Sequence, residues 1–208
     1  MFVCVRCTAC SYCNLELVFL LDASTKFISN AWRQILEYTS SVIGGYNINP
    51  NCVRVAVISY SDNAVVSIQW NRYNDRNSLQ QAVRQLRQLG GRSNVASAFT
   101  LLRTTLLPGI RANTGLIAVV VTDQIQSSQQ ITTEANNLKS QGVTIIAVGI
   151  TAQDRVDGNA LTAIATNNYV VSVGDYSQLA SVVSRVTQQW GCFVVSPPTP
   201  APPAADRM

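Results

Sequence analysis

The chain has 208 residues, 47% hydrophobic and only 12% charged, with a formal net charge of +4, six cysteines and no histidine. This hydrophobic share excludes a disordered chain, and the length suits one domain with a sizeable core plus short extras. Without histidine there is no Ser-His-Asp triad, no Cys-His pair and no His-liganded zinc, so any chemistry must use carboxylates, hydroxyls, thiols, Lys or Arg. No run of about 20 apolar residues is present, so no membrane-spanning helix is expected.

The first segment, MFVCVRCTACSYC, holds four of the six cysteines. It carries thiols where the apolar stretch of an export signal would lie. Either such a signal lies outside this sequence or the protein is intracellular, and cysteine placement has to decide. Residues 1–13 are therefore set apart as a Cys-rich segment, 14–192 as the folded domain and 193–208 as a tail. That tail contains five of the seven prolines, in SPPTPAPPAA, and reads as an extended linker.

Within the domain, Leu15–Leu21 (LELVFLL) reads as a buried strand. A helix follows to about Ile43, with Ile28, Trp32, Ile35, Leu36 and Thr39 on one stripe, and Gly44-Gly45 end it. Val53–Ser59 and Ala64–Gln69 are two strands joined through Asp62-Asn63 as a tight hairpin. Leu79, Val83 and Leu86 mark a second helix; Val95, Phe99, Leu102 and Leu106 mark a third, stopped by Pro108-Gly109. Leu116–Val121 is a fourth strand, Ile131, Ala135 and Leu138 mark a helix ending at Gly142, and Val143–Ile150 is a fifth strand. A short helix spans Gly158–Ala165, and Tyr169–Val173 is the sixth strand. Leu179, Val182, Val183, Val186 and Trp190 form the last helix, with Asp175 as its cap and Gln178 placed as in a capping box.

Near-continuous apolar strands alternating with helices predict a doubly wound α/β fold: a mostly parallel six-stranded sheet, one antiparallel edge strand, and helices on both faces. Such folds bind ligands beyond the carboxyl ends of the strands. There the first strand ends in Asp22-Ala23-Ser24-Thr25-Lys26 and the fourth in Thr122-Asp123, while Gly90-Gly91-Arg92-Ser93-Asn94 opens a helix. Two carboxylates and several hydroxyls are hard oxygen ligands, suited to Mg²⁺ or Mn²⁺. Taken singly, Asp22 and Asp123 read equally well as helix caps. No GxGxxG or GxxxxGK[ST] phosphate loop is present. The DxSTK run is only distantly like the aspartyl-phosphate motif of dehalogenase-type phosphatases, which needs a second Asp where Ser24 stands.

The run LELVFLLDAST, the Gly-Gly-x-Ser-Asn turn, IAVVVTD, VRVAVISYSD and GVTIIAVGI, in this order over roughly residues 14–190, resemble a von Willebrand factor type A domain. The resemblance implies a Rossmann-like fold and a metal-ion-dependent adhesion site, built from Asp-x-Ser-x-Ser, a Thr in the Gly-Gly loop and an Asp after the fourth strand. The matching residues are Asp22, Ser24, Ser93 and Asp123. Lys26 stands where the second serine belongs, and lysine offers no oxygen. Its ammonium either occupies the cation's place or reaches out to solvent and leaves a weak site.

The resemblance also implies a Cys13–Cys192 disulfide between the domain's ends, and with it an oxidising compartment. Cys4, Cys7 and Cys10 then remain for local or interchain disulfides or for a neighbouring module, the spacing being a poor match to a metal cluster. Cys52 is either a buried free thiol or a partner of the N-terminal segment.

Arginine outnumbers lysine 13 to 2, and residues 72–111 carry seven arginines against one acidic residue, Asp75. Arg76, Arg84, Arg87 and Arg92 read either as solvated charges or as a surface for acidic partners. Aromatic interleaving is absent, which speaks against nucleic acid. The resemblance points to extracellular-matrix members of the family: matrilins, type VI collagen and mollusc shell-matrix proteins. The expectation is thus a secreted, non-enzymatic binding module for matrix proteins, collagen-like or acidic, or for acidic polysaccharide. The alternatives are a structural spacer with a dead cation site and a Mg²⁺-dependent phosphoryl-transfer or hydrolytic enzyme.

Overall fold

A computed structural model of the chain describes residues 14–24 and 30–189. Its strands are β1 (Leu15–Asp22), β2 (Val53–Tyr60), β3 (Ala64–Ile68), β4 (Gly115–Thr122), β5 (Val143–Ile150) and β6 (Val170–Val173). Its helices are α1 (Ala31–Gly44), α2 (Arg76–Arg84), α3 (Val95–Leu101), α4 (Gln129–Ser140), α5 (Gly158–Ile164) and α6 (Val183–Gln189). The six strands form one sheet in the order β3-β2-β1-β4-β5-β6. Every pairing is parallel except the β2–β3 hairpin at one edge. This is the expected fold.

The sheet is covered on both faces because its central strands are apolar on both. Leu15, Leu17, Phe19 and Leu21 of β1 pack with Ile35, Val42, Leu79 and Val186 on the side of α1, α2 and α6. Val18 and Leu20 pack with Phe99, Leu138 and Ile164 on the side of α3, α4 and α5. Side chains alternate along a strand, so Glu16 and Asp22 share the α3–α5 side with Val18 and Leu20. The two acidic residues thus cap the opposite ends of one apolar row.

At the amino end of β1, Glu16 is fully buried. It accepts hydrogen bonds from Arg54 Nε and Nη2, and from the backbone N–H and Nε of Arg111. Arg54 also lies over the Trp70 ring, 5.5 Å from its centroid. Nearby Cys52 is disulfide-bonded, which excludes the free-thiol alternative. Its partner, like the expected Cys13–Cys192 bridge, lies outside the described residues.

Several boundaries move. β3 stops at Ile68 rather than Gln69. α2 stops at Arg84, so Leu86 and Arg87 lie beyond it. The third helix widens into a π-helical turn over Leu102–Leu106 and closes as a 3₁₀ turn, Leu107–Gly109. The Pro108 ring crowds the carbonyl four residues before it, which opens the preceding turn. The last helix begins as a 3₁₀ stretch, Tyr176–Val182. Asp175 caps it through Ser177 N, but Gln178 Oε1 accepts from Gly174 N, one residue upstream of a true capping box. Ile28 and Trp190 lie outside the described residues.

Asp75, Asp157 and Asp175 all sit at helix N-caps, and hydrogen bonds from Ser78, Ser127 and Ser177 hold each carboxyl below its ordinary value of 3.8. A carboxyl lowered on folding contributes stability that is present above its unfolded pKa and lost as pH falls through the folded one. Urea unfolding should therefore show an acid limb that steepens below about pH 4. Asp75→Asn, Asp157→Asn and Asp175→Asn combined should flatten that limb, and an unchanged limb would refute the assignment.

Candidate functional site

The carboxyl ends of β1, β2 and β4 meet in register. Asp22 pairs with Tyr60 of β2, and Leu21 pairs with Val121 of β4, so Asp22 and Thr122 end adjacent strands. The Ala23 carbonyl accepts from Leu89 N at 3.2 Å and Gly90 N at 2.8 Å, which ties the glycine loop to the end of β1. Gly91 has φ +96°, and a Cβ there would lie 2.2 Å from Asp62 Oδ2; only glycine fits this turn. Asn94 then caps α3 by accepting from Ser97 N. Ser93, between turn and cap, is thereby aimed at Asp22.

Asp22 is the hub. Its Oδ1 accepts from Ser24 N at 3.1 Å and from Ser24 Oγ. Its Oδ2 accepts from Ser93 Oγ at 2.6 Å and Thr122 Oγ1 at 2.8 Å. The Gln124 carbonyl lies 3.1 Å and 2.8 Å from the same two hydroxyls, so each has a second acceptor for its single proton. Asp22 is fully buried. Burial pushes its carboxyl above the ordinary value of 3.8, hydrogen bonds from Ser24 and Ser93 pull it back, and the charge of Asp123 adds to the rise. The Tyr60 hydroxyl is buried beside it, close to Thr122 and Ser93. Burial first, and the Asp22 charge second, push that phenol well above its usual range.

Asp123 is held differently. Its Oδ2 accepts from Arg155 Nη2 at 2.8 Å and from the Tyr176 hydroxyl at 2.6 Å. Arg155 lies in the loop after β5. That loop is joined to the loop after β4 by an Ile125–Val156 bridge, with Ile125 N donating to the Arg155 carbonyl at 3.1 Å. Sequence reasoning placed no function on Tyr60, Arg155 or Tyr176. Arg155 follows a strand's carboxyl end, which was the one available signal.

Of the four expected ligands, the structure brings Ser24 and Ser93 onto Asp22, while Asp123 is engaged by Arg155 and Tyr176. Lys26 lies outside the described residues. The donor chemistry fits a hard divalent cation: two carboxylates, plus two hydroxyls that donate to Asp22 and keep lone pairs for a metal. No helix among the described residues is long and apolar enough to cross a membrane.

Most of these arginines are engaged by distant parts of the chain. Arg76 donates twice to the Tyr46 carbonyl. Arg84 pairs with Glu37 at 3.0 Å and Arg92 with Asp62 at 3.3 Å, both pairs well exposed. Arg103 pairs with Glu134 and Arg111 with Glu16. Arg87 is exposed beyond α2.

Residues 16–185 match the family described as von Willebrand factor type A domain. The human collagen alpha-1(XX) chain is 30% identical over 176 residues, covering 83% of this chain and 14% of that protein. Human matrilin-3 is 27% identical over 184 residues, covering 85% of this chain and 37% of its own length. This chain therefore spans only a minor part of these relatives. Among solved structures, proximal thread matrix protein 1 from the mussel byssus, in a form with a zinc-occupied MIDAS motif, superimposes with a TM-score of 0.79 at 17% identity. That match covers 86% of this chain and 46% of the mussel chain. A von Willebrand factor type A protein from Catenulispora acidiphila superimposes with a TM-score of 0.69 at 17% identity, covering 85% of this chain and 42% of that one.

Proposed function

The chain belongs to the von Willebrand factor type A family, and from that premise we propose that it is a secreted, non-enzymatic adhesion module of an extracellular matrix. It engages a matrix protein or acidic polysaccharide through the loops at the carboxyl end of its sheet. The observation that carries this reading is the convergence of Ser24, Ser93 and Thr122 on the buried Asp22, with Asp123 on the adjoining loop. The collagen and matrilin relatives support the matrix setting, and the Cys52 disulfide favours an oxidising compartment. A Mg²⁺ or Mn²⁺ ion held by Asp22, Ser24, Ser93 and Asp123 would supply a positive point for a partner carboxylate. The chain's own part is to orient those oxygens and hold them away from bulk water.

The exposed pairs Arg84–Glu37 and Arg92–Asp62 are weak, as such pairs are. Arg84, with the exposed Arg87 just beyond α2, offers a basic flank on which a sulfate or carboxylate can replace the internal partner, and Arg92 does the same at the glycine loop. A phosphoryl-transfer or hydrolytic enzyme would need a base and a phosphate cradle, and the sequence has neither histidine nor a phosphate loop. The Arg155–Asp123 ion pair favours a second reading, a spacer that needs no cation.

Solid-phase binding to fibrillar collagen and to heparin, in Mn²⁺ or in EDTA, tests the proposal. Binding should fall about tenfold or more in EDTA and in Asp123→Ala, a loss of about 1.4 kcal/mol. Arg84→Glu with Arg87→Glu should lower heparin retention at low salt. Binding to neither polymer would sink the adhesion reading. Binding indifferent to EDTA and Asp123→Ala would leave the flank and remove the cation.

A further inference from the structure

Asp123 already has a cation of its own. Arg155 Nη2 and the Tyr176 hydroxyl both donate to Asp123 Oδ2, at 2.8 Å and 2.6 Å. Two donors use both lone pairs of that oxygen. A metal reaching for it must displace one of them.

The pair is also fixed in place by backbone. The Arg155 carbonyl accepts from Ile125 N and Gln126 Nε2, both at 3.1 Å, and Asp157 N donates back to the Ile125 carbonyl at 2.9 Å. The guanidinium is thus delivered to Asp123 by a loop stapled to the loop that carries Asp123. Asp123 itself is 3% exposed and the Arg155 side chain 33%. The pair is screened less than a surface pair, yet the arginine has a route to solvent. Charge counting points the same way. Asp22 and Asp123 with Arg155 make a described cluster of one net negative charge rather than two, and cation attraction scales with that charge.

We propose that Arg155 is the affinity-setting residue of the cation site: its guanidinium neutralises Asp123 in an internal ion pair and occupies Oδ2, so that a divalent metal taking that oxygen must displace it. This rests on the cation reading above and deepens it. Arg155 acts through Asp123 and is a positioning residue.

Titration calorimetry with Mn²⁺ alone, on the whole chain, tests this with wild type, Arg155→Gln, Arg155→Ala and Arg155→Lys, each checked for a cooperative melt. The two neutral variants should bind Mn²⁺ about tenfold or more tightly than wild type, equivalent to about 1.4 kcal/mol. Arg155→Lys keeps the charge and should stay within about threefold of wild type, under 1 kcal/mol by the same conversion. Tyr176→Phe, which removes a neutral donor only, should gain less than Arg155→Gln. Neutral variants that bind no more tightly than wild type, or that bind not at all, overturn the proposal. So does Arg155→Lys gaining as much as Arg155→Gln. Matrix binding that remains EDTA-sensitive while Arg155→Gln leaves Mn²⁺ affinity unchanged would remove Arg155's role and keep the adhesion reading. Tighter Mn²⁺ in Arg155→Gln with no matrix binding would do the opposite.

Discussion

Glu16→Ala should destabilise the fold by on the order of 3–5 kcal/mol, the usual cost of removing one partner from a buried ion cluster. For a domain of this size that lowers the melting temperature by about 10 °C. Glu16 is completely buried, and Arg54 and Arg111 both direct guanidinium nitrogens at it. Without the carboxylate, two cations face each other across β1 and β2 with the desolvation penalty unrelieved. The effect spreads, because Arg111 also donates to the carbonyls of Pro50, Leu15 and Cys52. That arginine pins the entry of β1 to the disulfide-bonded end of β2. The control is Glu37→Ala, whose Arg84 pair is nearly half exposed on both sides; it should cost under about 1 kcal/mol. Urea unfolding followed by circular dichroism reads both. Equal losses in the two variants would show that burial does not distinguish the pairs.

Asp22 should separate stability from binding. In Asp22→Ala, Ser24, Ser93 and Thr122 lose their common acceptor, and Mn²⁺ affinity should fall at least about 100-fold, the upper end of what even indirect partners of a metal ligand cost. Asp22→Asn should lose the metal as well, yet melt higher than wild type in EDTA at pH 7. Burial raises the folded carboxyl above its unfolded value of 3.8. The stability belonging to the protonated form is present below that value and lost as pH rises through the folded pKa. A neutral amide avoids the loss. It also finds partners, since the Ser93 and Thr122 protons can turn to the Gln124 carbonyl and leave their oxygens to accept. The melting advantage should shrink as pH is lowered toward 4. An Asp22→Asn protein that melts lower than wild type across this range would overturn the account.

The β/α alternation was readable because it rests on local patterns. The apolar runs of β1, β4 and β5 and the stripe Ile35, Leu36 and Thr39 needed no partner to be recognised. The hairpin was readable from Asp62-Asn63, and the glycine loop from Gly90-Gly91. Glu16 was passed over as one polar letter in LELVFLL, because its counter-ions lie 38 and 95 residues away. The arginine-rich stretch looked like one basic face. Folding instead gives Arg76 a carbonyl and sends Arg103 and Arg111 to separate carboxylates on other elements.

By itself, then, the sequence determined the layers of the fold and the kinds of residue at each strand end, since periodicity and turn chemistry act over a few neighbouring positions. The tertiary structure alone decided who faces whom. Strand register set Asp22 beside Thr122 and Tyr60, and loop crossings set Arg155 and Tyr176 on Asp123. What a charge does depends on the distance and burial of its partners, and those belong to the packed sheet rather than to any stretch of chain.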